Sequence, residues 1–212
     1  MGDSELLIDY LYYVAIAIQF ITLFVVTVKY KQFKSRFVFF FTLFIYVSCI
    51  VELIGLYYLK VIEEHSNEVY NIYTFFEFNL VALIYYSIIK ESKSLKLIII
   101  LSVLFNLIYA ISFFYQPLES YTAIIQAPIV AVFFIIYLRE LLNSNKILNY
   151  RKHLPFWLTA GFMIFYLSSI PFQFIRETMD NRGMFYIQMF LIYIMHSCFI
   201  YGLLWSKEET KY

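Results

Sequence analysis

The sequence predicts an all-α integral membrane protein, a single bundle of seven transmembrane helices with its N-terminus outside and its C-terminus in the cytoplasm. Three observations predict it. The chain of 212 residues is 62% hydrophobic and 15% charged, against roughly half and a quarter in a soluble domain. Its apolar residues fall into seven runs of about the 20 residues a helix needs to cross a bilayer. Its Lys and Arg collect in alternate segments between those runs.

The runs cover residues 6–28, 37–59, 70–89, 97–114, 121–142, 155–175 and 184–205. The first follows acid, Asp3 and Glu5, where a signal peptide would have a basic segment, so it is read as a retained helix. The second contains Glu52 and the third Glu77. The fourth is the shortest. The fifth continues past Arg139 as an amphipathic extension. Pro128 in the fifth and Pro171 in the sixth each remove a backbone hydrogen bond and are expected to kink their helices. The seventh carries Gln188 and His196. No polar stretch is long enough to fold alone, so residues 1–212 are expected to form one domain.

Orientation follows from the basic residues. With the N-terminus outside, 13 of the 16 Lys and Arg lie in cytoplasmic segments and only Lys60, Arg176 and Arg182 lie outside. The absence of any Asn-x-Ser/Thr sequon and the small size point to a bacterial inner membrane. A net charge of +1 gives no field for nucleic acid. Cys49 and Cys198 both fall inside apolar runs and are read as buried hydrophobes.

The chemistry is sought among polar groups at membrane depth, because a carboxylate in hydrocarbon costs about 3 kcal/mol even on insertion scales. Glu52 lies seven residues from the outer end of the second run and Glu77 seven residues into the third. At 1.5 Å per residue both are expected about 10 Å below the outer boundary, on neighbouring helices. Facing carboxyls could share a proton, hold a cation or bind a cationic ligand. Tyr73, Gln126, Gln173, Gln188 and His196 are the further candidates for the walls of an outward-facing polar cavity. Gln188, Ile192 and His196, at i, i+4 and i+8, are expected to look into the same space, and Ser102, Asn106 and Tyr109 to form a stripe on the fourth helix. Gly55, one turn after Glu52, leaves room for a close approach.

Several functions lack their residues. A retinal Schiff base needs a lysine in the last span, where there is none. A bis-histidine haem needs a second histidine at depth, while His65 and His153 lie in loops. There is no HExxH, GxSxG, P-loop or dinucleotide fingerprint. Glu52, Glu77 and His196 are candidates for a mixed metal site without a recognisable spacing. No cofactor is expected.

The leading expectation is a small receptor- or sensor-like protein. It would bind a small molecule, cation or proton from the outer side and act on a separate cytoplasmic or membrane effector, with the bilayer as its constant partner. The alternatives are a proton- or cation-coupled transporter of a small solute, and an intramembrane lipid-modifying enzyme using paired carboxylates. Without a catalytic motif, the sequence leans away from an enzyme.

Overall fold

The computed structural model describes residues 3–62, 67–115, 119–175 and 183–206, and among them there is no strand. Its α-helices are α1 (Asp3–Phe33), α2 (Arg36–Tyr57), α3 (Asn67–Ile88), α4 (Ser92–Ser112), α5 (Glu119–Leu142), α6 (Leu154–Ile175) and α7 (Gly183–Trp205). A π-helical turn, Tyr58–Ile62, prolongs α2, and a 3-10 helix, Asn145–Lys152, precedes α6. Each apolar run of the sequence overlies one α-helix.

Among the described residues, six helices are long and apolar enough to cross a membrane, through the stretches Tyr10–Phe33, Arg36–Ile62, Ser92–Ser112, Ile124–Leu142, Leu154–Pro171 and Tyr186–Trp205. That is the make-up of an integral membrane protein. The expected seventh span, in α3, is not among them. α3 carries Glu68, Asn71, Glu77 and Asn79 along with four tyrosines, and its hydropathy falls accordingly. The packing explains how it tolerates them, because α2, α4 and α5 all pack against α3. A helix enclosed by protein can turn polar side chains to neighbouring helices that would be costly against lipid.

The helices group into two compact units, residues 34–147 and residues 1–33 with 148–212. In the first, α3 is the centre. Phe78 stacks on Phe105 of α4 with ring centroids 3.8 Å apart, and Tyr85 meets Phe134 and Tyr137 of α5 at 5.4 and 6.2 Å. Phe78, Tyr85, Phe105, Phe133 and Phe134 are fully buried. Between lipid-solvated helices such packing, rather than hydrophobic transfer, supplies the association energy. At the end of α3 the Lys90 backbone N–H donates to both carboxylate oxygens of Glu140 on α5, at 3.0 and 3.1 Å.

In the second unit α7 packs between α1 and α6. Tyr193 donates to the Leu11 carbonyl at 2.6 Å and His196 meets Thr22, so α7 and α1 run in the same direction. Glycines set the α6/α7 approach. A Cβ on Gly161 would lie 2.9 Å from the Met195 carbonyl oxygen, and one on Gly202 2.6 Å from the Trp157 Cβ. Small residues that let backbones approach this closely are the usual means of helix association in lipid. Outward faces are strongly apolar, as Phe24 (69% exposed) on α1 and Ile100 (62%) on α4 illustrate.

Candidate functional site

The polar side chains of α2 and α3 meet along one seam. Ser48, Glu52 and Gly55 follow at four- and three-residue steps on α2, and Tyr70, Tyr73 and Glu77 do so on α3, so each set occupies one helical face. The helices run antiparallel and the faces meet. Ser48 Oγ and Tyr73 Oη share a short hydrogen bond. Tyr70 Oη donates to Glu52 Oε2 at 3.3 Å, long for a bond between oxygens. Gly55 makes space for that phenol, since a Cβ there would stand 2.7 Å from Tyr70 Oη. Glu77 and Glu52 both lie close enough to the Tyr73 hydroxyl to act on it electrostatically, with Cys49 beside it. Glu52, Tyr73 and Glu77 are all half-buried.

These contacts set the register, and the register corrects the matched depth inferred from the apolar runs. Tyr70 is level with Glu52 and Tyr73 with Ser48, so Glu77 falls one turn beyond Ser48, close to Phe44. At 1.5 Å per residue the two glutamates are staggered by roughly 10 Å along the hairpin. The estimate from the sequence failed because it took the end of α2 and the start of α3 as level: in the observed register Asn67 lies level with Gly55, and α2 with its π turn runs on to Ile62, roughly 10 Å farther at 1.5 Å per residue. What stands between the carboxyls is the Tyr73 hydroxyl.

Farther along the seam between α3 and α4, Asn79 and Asn106 bond to each other through both amides, at 3.0 and 2.9 Å. Tyr109 donates to the Asn71 carbonyl at 3.0 Å. The stripe expected on the fourth helix therefore faces α3. Gln126, on α5 of the same unit, is 2% exposed.

The remaining candidates belong to the other unit. His196 is 3% exposed on α7. Thr22 Oγ1 donates to the Ile18 carbonyl at 2.9 Å, so toward the His196 ring, 3.0 Å away, it accepts. Gln19, one turn before Thr22, is also buried. Gln188 is exposed. The eight residues separating it from His196 carry a rotation of about 80° at 3.6 residues per turn, so the common direction expected for the pair is not met. The Gln173 side chain lies outside the described residues. Pro128 and Pro171 lie within α5 and α6 on exposed positions.

Ser48 and Tyr70 are the site residues that sequence reasoning undervalued. The signal was present in the four-residue spacing of Ser48 and Glu52. Asn79 was missed altogether, since nothing local marks it as the partner of Asn106. Among the described residues, no three His, Cys, Asp or Glu side chains gather to hold a metal ion, so the mixed metal site considered for Glu52, Glu77 and His196 has no cluster behind it. Comparison with known protein families, characterised proteins and solved structures finds no match to this chain.

Proposed function

We propose that this chain is a small receptor- or sensor-like protein of a bacterial inner membrane, with α3 as a seventh span, the N-terminus outside and the C-terminus cytoplasmic. It binds a proton, a cation or a small cationic ligand at the α2/α3 seam. The observation that carries this reading is that Glu52 and Glu77 both lie within electrostatic reach of the Tyr73 hydroxyl, which is hydrogen-bonded to Ser48. Two carboxyls at membrane depth call for positive charge or for protonation. A tyrosine hydroxyl between them can donate to one and accept from a ligand or a protonated partner. Tyr70 and Gly55 form one edge of the site, and Gln126 lies on the same unit. Gln173, Gln188 and His196 are kept as candidates on the other unit, and a separate membrane or cytoplasmic effector completes the signalling reading.

The test is infrared difference spectroscopy on the full chain in lipid nanodiscs, recorded on acidification and on addition of a small organic cation. A carboxyl band that responds to either, is lost in Glu77→Gln or Glu52→Gln and is shifted in Tyr73→Phe is the expected result. Spectra unchanged by both glutamate substitutions would remove the carboxyls from the site. The stagger of the carboxyls along the helix axis favours a second reading, a proton-coupled transporter in which the proton steps from one glutamate to the other past Tyr73. Solute counterflow in proteoliposomes that is lost in Glu77→Gln would select it over the sensor.

A further inference from the structure

In the unit that contains α6 and α7, an apolar groove of about 480 Å³ opens on the α7 surface. Phe190, Ile194 and Cys198 line it, and Trp157 and Tyr201 bound one end. From Phe190 to Tyr201 it follows α7 for about 16 Å at 1.5 Å per residue. That is the depth of one leaflet of hydrocarbon, about 15 Å.

Its aromatic end carries the side chains that gather where hydrocarbon meets headgroups. Trp157 packs edge-on against Tyr201 with centroids 4.4 Å apart, and Tyr201 stacks on Trp205 at 5.1 Å. The same end is cationic. Trp157 Nε1 donates to the Arg151 carbonyl at 3.0 Å, which ties the 3-10 helix to α6. Arg151 Nε donates to Tyr150 Oη at 3.3 Å, its guanidinium carbon 5.9 Å from that ring, and Tyr201 lies near enough to act on its charge. The other guanidinium N–H groups meet no acceptor among the described residues. Lys152, next in the chain, is exposed.

We propose that this groove binds a phospholipid with an anionic headgroup, its acyl chain along α7 and its phosphate at Arg151 and Lys152. The length of the groove, the aromatic boundary and the cations at that boundary fit the three parts of one molecule. A net anionic headgroup is favoured because a zwitterionic one brings its own ammonium to the same two cations.

Trp157 and Trp205 are the only tryptophans in the chain, so Trp205→Phe leaves Trp157, at the end of the groove, as the single tryptophan, excited selectively over tyrosine. The full chain carrying that substitution is reconstituted in bilayers containing increasing fractions of acyl-brominated phosphatidylglycerol or acyl-brominated phosphatidylcholine. Trp157 should be half-quenched at a several-fold lower fraction of the phosphatidylglycerol, with about fivefold per cation as the scale. Arg151→Gln with Lys152→Gln should bring the two lipids to parity, while Arg151→Lys should keep the preference. Ser197→Phe, on an exposed position that lines the groove, should weaken quenching by both lipids. Equal quenching by the two lipids before the cations are removed would overturn the proposal, as would a preference that survives their loss. Quenching indifferent to Ser197→Phe would remove the acyl chain from the groove.

Discussion

Asn79 and Asn106 satisfy each other completely. Each amide sends one N–H across to its partner's oxygen and the other back to its own helix, Asn79 to the Phe75 carbonyl and Asn106 to Ser102, both at 2.8 Å. Removing one partner leaves the other amide unpaired in a dry setting, which costs more than the bond was worth. Asn79→Ala and Asn106→Ala should each lower stability by about 1–2 kcal/mol, and the double variant by clearly less than the sum. Reversible unfolding in mixed micelles through the full double-mutant cycle measures this, and additive losses would contradict it. Tyr73→Phe should behave differently. Ser48 freed of its partner can bond to a carbonyl of its own helix, as Thr22, Thr42 and Ser87 already do. Thermal unfolding should therefore shift by less than about 1 kcal/mol while the infrared response of the carboxyls changes. At this scale the sequence was partly legible. Glu52, Glu77 and Tyr73 announce themselves as polar groups in apolar runs. Their mutual placement depends on the register of two helices, which the Ser48–Tyr73 and Tyr70–Glu52 contacts set and composition does not carry.

At the scale of elements, the existence of each helix was readable and its role less so. Polar interruptions mark the ends, and the observed helices differ from the apolar runs by a few residues. α3 is the exception in kind. Its polar residues lower its resemblance to a span because they face α2 and α4, and facing is a tertiary property. The glycines make the same point. Gly55 could be noticed beside Glu52, but the closer approach at Gly161 and Gly202 emerges only once α6 and α7 are packed. A methyl at Gly161 would press on the backbone oxygen of Met195, which cannot rotate away. Gly161→Ala should therefore cost about 1–3 kcal/mol by overpacking. Gly55→Ala meets only the movable end of Tyr70, and should leave stability nearly unchanged while breaking the Tyr70–Glu52 hydrogen bond. Denaturant unfolding of the two variants side by side checks the contrast, and equal losses would refute it.

For the whole molecule, membrane character was the most legible property, since composition and run length alone carry it. The division into two units was not legible. It joins the beginning of the chain to its end, and no internal repeat signals the junction. The number and direction of the spans rest on charge, and α3 decides them. If α3 spans, reporter fusions at residues 63–66 and at residues 90–91 will report opposite sides, the first outside and the second cytoplasmic. Fusions reporting the same side would leave six spans and reverse every segment that follows.

The pairing of α1 with α7 also has a consequence in time. α1 emerges before α7 during synthesis, and the helix that supplies the Thr22–His196 and Tyr193–Leu11 bonds begins about 150 residues after it ends. At about 5–20 residues per second, α1 waits roughly 8–30 s in the bilayer before that partner arrives. Thr22 can pass the interval bonded to Ile18, but Gln19 has no such recourse among the described contacts. A ribosome stalled before α7 would leave α1 without its partner helix, the natural handle for an insertase or a quality-control protease.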